Sequence, residues 1–123
     1  MATEQSRNTR TFVAGEDLST AQFKFVTLES NNEVNLADSA GENCIGVLRT
    51  DGAAGVAVAV LVEGPVIVEC GGTVTDGGAV ATDATGRAVD ATTGDIIMGY
   101  AREAGVVNQK IQIELIQGGN ASA

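Results

Sequence analysis

Few residues of this chain have types and spacings that could do chemistry. Asp83, Asp90 and Asp95 stand in TDATGRAVDATTGD, and oxygen-rich turns of that kind can ligate calcium. Their spacing matches neither an EF-hand nor the nine-residue calcium repeats. Asp and Gly are also what tight turns require for their backbone geometry, so no metal site is expected. The chain has no histidine, which removes the commonest general base, the usual activator of Ser and Cys, and the commonest zinc ligand. Cys44 and Cys70 are the only cysteines and cannot close a tetrahedral zinc site by themselves. Set in NCIGVL and VIVECGG, they read as buried, reduced thiols. Neither Lys24 nor Lys110 follows a glycine-rich loop at the head of a helix, so nucleotide hydrolysis is not expected. A glycosidase working with two carboxylates would need aromatic rings to stack on sugar, and the chain has three Phe, one Tyr and no Trp. The expectation is a protein that is not an enzyme, with no catalytic residues, cofactor or metal.

The elements that would have to position any site are short. At 123 residues the chain has room for one domain. Its 44% hydrophobic residues include only 3% aromatics, so the core must be thin layers of Val, Ile, Leu and Ala. A net charge of -9 repels phosphates and argues against nucleic acid as a partner. No apolar run reaches the roughly eighteen residues of a membrane helix, and MATEQSRNTRTF lacks the apolar stretch of a signal peptide. A cytosol-like setting and no membrane partner are expected.

Sixteen glycines and a single proline separate short Val- and Ile-rich runs at turn signals such as SNNE, TDGAAG, TDGG and TTGD, an all-β pattern. Strands are predicted at 23–28, 45–49, 56–62, 66–69, 96–102 and 110–116, with shorter pieces at 34–36, 79–81 and 87–89. In KIQIEL apolar and polar residues alternate, as when one face of a sheet is wet. Val56–Val62 and Pro65–Val68 are apolar on both faces and need cover from a second sheet or another subunit. At an offset of 53 residues, Gly41, Gly46, Arg49 and Gly52 fall on Gly94, Gly99, Arg102 and Gly105. Val58, Val60 and Val62 likewise fall on Ile111, Ile113 and Leu115. The expected organisation is an N-terminal arm over 1–22, a β-domain over 23–117 with pseudo-repeats at about 26–64 and 79–117, and a flexible tail over 118–123.

The arm interleaves Ser6, Asn8, Thr9 and Thr11 with Arg7 and Arg10 before the apolar pair Phe12 and Val13. Residues 1–11 hold two Arg and one Glu, a charge opposite to that of the remainder, which suits docking on an acidic surface. Arg49 and Arg102 each end an apolar strand, where they could offer a bidentate guanidinium to a neighbouring subunit. Val58, Val60 and Val62 are candidates for burial between sheets or between protomers.

The residues TRTFVAGEDLSTAQFKFVTL, then CIGVL, then GRAVDATTGD resemble the head decoration, or capsid cement, proteins of tailed bacteriophages, over nearly the whole chain and in the same order. The resemblance implies a compact β-sandwich or barrel, β-tulip-like, of two similar halves with an extended arm. It implies a subunit, as a homotrimer, that binds the major capsid protein on the outside of the expanded head. Such a subunit is made in the host cytoplasm, and no catalytic residue comes with it. Arg7, Arg10, Phe12 and Val13 are then the candidate capsid-binding residues. Arg49, Arg102, Val58, Val60 and Val62 are the candidate subunit interface. The alternative is a virion surface module that binds a host receptor or glycan.

Overall fold

The computed structural model describes residues 8–116, and over them the chain is all β. Its strands are β1 (Asn8–Ala14), β2 (Phe25–Leu28), β3 (Glu33–Leu36), β4 (Gly46–Leu48), β5 (Ala57–Glu69), β6 (Ala79–Thr82), β7 (Ala88–Asp90), β8 (Gly99–Ala101) and β9 (Lys110–Leu115). They hydrogen-bond in the order β1-β3-β2-β4-β5-β9-β8-β6-β7, and β1 also pairs with β5, so the first five close a barrel. The remaining four continue from the second half of β5, which pairs with β9 from Gly64 to Glu69. The five-stranded barrel is called barrel 1, and residues 64–116 unit 2.

Alternation decides which side chains face inward. In β9, Ile111, Ile113 and Leu115 are buried while Lys110, Gln112 and Glu114 are exposed, as a period of two requires. In β5, Val58, Val60 and Val62 point into barrel 1 and cluster with Ala14, Leu18, Val26, Val34 and Leu48. Leu61, between them, points outward and packs on the second core. That is how a strand apolar on both faces is covered within one chain. Phe25, Ala37, Cys44 and Val47 also lie outside the first cluster and join Val66, Val68, Met98, Leu115 and the rest of the second. The outside of barrel 1 is thus part of the core of unit 2.

The sequence suggests two strands where the structure has β5, thirteen residues without a break. Gly64 takes φ +95, a left-handed value that glycine adopts at little cost. Pro65 stands opposite Glu114. Because Cys70 N donates to Gln109 O, alternation along the antiparallel pair turns the Pro65 nitrogen away from β9, where no donor is missed. The chain therefore bends at Gly64 while the ladder runs on.

Residues 8–22, expected to form most of the arm, belong largely to barrel 1. β1 pairs with β5 from Asn8↔Glu63 to Val13↔Ala57, and Leu18 and Ala21 are buried. One apolar pair in a polar stretch does not announce a strand; the backbone ladder to β5 makes it one. Residues 1–7 and 117–123, with the rest of the arm and the tail, lie outside the described residues.

Several strand pairings in the two units share a register. Val26↔Leu36, Thr27↔Asn35 and Leu28↔Val34 match Val80↔Asp90, Ala81↔Val89 and Thr82↔Ala88. Val47↔Leu61 and Leu48↔Val60 match Tyr100↔Glu114 and Ala101↔Ile113. β1 on β5, as in Arg10↔Val60 and Phe12↔Val58, matches the second half of β5 on β9, as in Val66↔Ile113 and Val68↔Ile111. Even the parallel pairing Ala14↔Val34 has its counterpart in the isolated bridge Cys70↔Ala88. Left-handed backbone also recurs at matching positions: Phe23 and Gly77, Asn32 and Gly86, Gly41 and Gly94, Gly55 and Asn108.

Candidate functional site

Because the starts of β1 and β4 lie at the same rim of barrel 1, Arg10, Phe12, Ile45, Val62 and Glu63 surround an open mouth of about 240 Å³. Phe12 and Ile45 are half-buried on the first core, and Arg10 is exposed. Its Nη1 donates a long hydrogen bond to the Thr9 carbonyl, 3.4 Å. The mouth is an apolar rim with one cation and one carboxylate at its edge. Val13, on the same strand, is half-buried, and Arg7 lies outside the described residues.

A larger groove of about 540 Å³ runs where barrel 1 meets unit 2, with Phe23, Arg49, Leu61, Pro65, Ile67 and Gln112 among its walls. Gln22 Nε2 donates to the Arg49 carbonyl at 2.9 Å. The Arg49 and Arg102 guanidiniums are exposed, and neither has an ion-pair partner among the described residues. They end corresponding strands: Arg49 N donates to Ala59 O and Arg102 N to Gln112 O. Beyond each Arg a hairpin turns back, and the second tip carries Val106 and Val107, 59% and 52% exposed. Val58, Val60 and Val62, expected at a subunit interface, are instead covered by their own barrel at 2%, 0% and 7% exposure. Inward alternation on a closed barrel covers Val58 and Val60 from within, while Val62 borders the open mouth.

The acidic residues are held by their own turns. Asp83 Oδ1 accepts from Thr85 N, Thr85 Oγ1 and Arg87 N at 2.8, 2.9 and 2.9 Å. Asp90 accepts from Thr75 N and Oγ1, and Asp95 from Thr92 N and Oγ1. Glu42 does the same one unit earlier, accepting from Asp38 N and Ser39 N. Glu16, Glu29, Asp38 and Glu42 rim a hollow of about 390 Å³. Among the described residues, no three of His, Cys, Asp and Glu come together as metal ligands.

Both cysteines are free and buried. Burial, and secondarily the Glu42 charge, push the Cys44 thiol up to about 12. Burial first, then Glu103 and Glu69, raise Cys70. Thiols held protonated are poor nucleophiles. Within unit 2 Glu69 pairs with Arg87 at 3.5 Å and Lys110 at 3.9 Å, and across the junction Lys110 Nζ sits 5.7 Å from the Phe23 ring centre. These partly exposed ion pairs steady unit 2 modestly.

Sequence reasoning missed Ile45, Glu63, Tyr100, Glu114, Val106 and Val107. Tyr100, the only tyrosine, is 45% exposed in the middle of the outer face of β8. The repeat offset of 53 could have found it, because it places Tyr100 on Val47, which the second core buries.

Two comparisons return relatives. The family described as phage cement protein matches residues 5–114. The solved structure of the head fiber gp8.5 N base in bacteriophage phi29 is similar at a TM-score of 0.69 and 15% identity, covering 93% of this chain and 99% of that one. At that identity the likeness shows a shared fold. No curated protein matches the sequence.

Proposed function

From the premise that this chain belongs to the phage cement protein family, we propose that it binds the major capsid protein of an expanded tailed-phage head as a homotrimer of subunits, each built from two similar barrel-like halves. It is a structural, non-enzymatic virion protein of the outer capsid surface. The single observation that carries the assignment is the family match over 5–114. The matched strand registers of the two units support the reading of similar halves. A cement subunit works by mass action: it binds the assembled lattice better than free capsomers, so its binding free energy adds to the stability of the shell.

The proposed shell-facing surface is the hairpin-tip end of each unit. There Arg49 and Arg102, without an ion-pair partner among the described residues, stand at the strand ends that lead into the tips, and the second tip exposes Val106 and Val107. Arg7, which lies outside the described residues, stays a proposed capsid contact on the basic arm.

The test is to mix purified protein with expanded capsids lacking it, pellet the particles, and record co-sedimentation and survival on heating. Saturable binding with raised survival is expected. The doubly substituted R49E/R102E protein should bind at least about tenfold more weakly, because each change sets a carboxylate where a cation met the shell. Deletion to test the arm must stop at residue 7, since β1 begins at Asn8. Failure of the wild-type protein to bind its own capsids would overturn the cement role.

A further inference from the structure

The five residues around the open mouth of barrel 1 have exact counterparts in unit 2. Through the strand registers, Arg10 corresponds to Val66, Phe12 to Val68, Ile45 to Met98, Val62 to Leu115 and Glu63 to Ile116. In unit 2 the first four of these are buried, in one cluster with Phe25, Ala37, Cys44, Val47 and Leu61 from the outside of barrel 1. The mouth of unit 2 is therefore closed by an outer face of barrel 1, while the mouth of barrel 1 stands open.

The covering face has counterparts as well. Phe25 corresponds to Ala79, Ala37 to Ala91, Cys44 to Ile97, Val47 to Tyr100 and Leu61 to Glu114. This second face is uncovered: Tyr100 and Glu114 are exposed, and Ala79, Ala91 and Ile97 are partly so. The molecule thus carries one open mouth and one uncovered face, each the counterpart of a surface that is buried at its own junction.

We infer that the mouth of barrel 1 in one copy seats on the outer face of unit 2 in the next, repeating between chains the contact made within one. The substitutions at the two surfaces are complementary. Where the internal contact sets Val66 and Leu61 in one apolar cluster, the contact between copies sets Arg10 against Glu114, opposite charges at corresponding positions. Where it gathers Val68 and Val47 in the same cluster, the contact between copies brings Phe12 and Tyr100 to one interface, two rings suited to pack on each other. Polar replacements at both surfaces let the separate chain stay in solution, which a bare copy of the internal contact would not.

The arrangement has a geometric corollary. Glu63 and Gly64 are consecutive, and counted along the strands from Val62 and Arg10 their counterparts are Ile116 and Asn8, the β1–β5 register shifting between Asn8 and Thr9. The end of β9 in one copy thus lies beside the start of β1 in the next. A head-to-tail contact of this kind makes a closed ring when its rotations complete a turn. Three chains, as in the trimer proposed above, would make a ring of six units. The inference deepens that proposal by naming the contact, and rests on it only for the number of copies.

The experiment is light scattering on the full-length protein at micromolar concentration and low salt. The wild-type chain is expected to assemble, and R10E and E114R should each weaken association at least about tenfold by facing like charges. The R10E/E114R protein should return to within a few-fold of wild type, since the pair is restored with its signs exchanged. Circular dichroism on each variant checks folding, which both exposed positions favour. Paired cysteines at positions 8 and 116 should join copies by disulfides under mild oxidation and so report the contact without changing its charges. A monomeric wild type, association indifferent to both single changes, a double variant no better than either, or no cross-linking would each overturn the inference. Capsid co-sedimentation of the same proteins is scored separately: a monomer that still binds capsids overturns this contact alone, and a ring that ignores them overturns the cement role alone.

Discussion

Barrel 1 and unit 2 pair their strands in the same register yet are finished differently. Unit 2 fills its end with Val66, Met98 and Leu115 and has the outside of barrel 1 as a lid. Barrel 1 ends in Arg10, Phe12, Ile45 and Glu63 around an open hollow. Outer faces differ in the same sense, with Phe25, Val47 and Leu61 on one and Ala79, Tyr100 and Glu114 on the other. The backbone requirements are common to both, such as the close approach of Gly46 to the Leu61 carbonyl and of Gly99 to that of Glu114. What varies is the side chains on the surfaces through which each unit meets its surroundings. A repeated unit needs its internal geometry twice, but its contacts only where a neighbour exists.

The largest test of this contrast is Phe25→Ala. The ring is fully buried although it lies outside barrel 1, so its loss should cost about 3–5 kcal/mol. Urea unfolding should show that cost as a lowered midpoint. A cost under about 1 kcal/mol would mean that the junction does not behave as core. Next come Gly46→Ala and Gly99→Ala. In each an added methyl would meet backbone of the neighbouring strand, Leu61 or Glu114. The two should cost similar amounts, about 1–3 kcal/mol each, and a large inequality would break the correspondence of the units.

The smallest effect is one of pH. Cys44 and Cys70 have raised folded pKa values, Cys44 near 12 against an ordinary 9.0. Above pH 9 the unfolded chain releases those protons while the folded chain keeps them. Stability is therefore unchanged by these groups below pH 9 and falls as pH climbs from there toward 12. Denaturant midpoints across that window should decline, and less in a Cys44→Ala protein. Alkylation at pH 9 should be slow for both thiols, with Cys44 reacting first if the junction opens before unit 2 does.

Much of the fold was legible in the sequence, because alternation in KIQIEL and the Val- and Ile-rich runs between turns reflect burial directly. Strand positions from β2 to β9 follow those runs to within a few residues at each end. The repeat was legible only in part. An offset of 53 aligns β4 and β5 with β8 and β9, but β2 and β3 match β6 and β7 one residue further along. β1 matches the second half of β5 at yet another offset. Loops of unequal length hide those correspondences from any single alignment of the chain with itself. The arm was misjudged because a strand held mainly by its backbone ladder has no apolar periodicity to show. For Val58, Val60 and Val62 cover by a sheet or by another protomer stayed open, because a chain apolar on two faces does not say which neighbour covers it. Arg10 and Phe12 drew notice through charge and hydrophobicity, but their partners on the rim, Ile45 and Glu63, lie far off in sequence and meet them only when the barrel closes.

The thirteen residues of β5 also set how the subunit bears load. Its first half is laced to β1 and β4 and its second to β9, so a pull that separates barrel 1 from unit 2 acts along the strand. The hydrogen bonds of an antiparallel ladder lie across that direction. They are sheared together rather than peeled one by one, and the strand serves as a tie bar between barrel 1 and unit 2. On a shell under outward pressure, stretching the subunit would load its best-anchored element first, and the turns at the hairpin tips only afterwards.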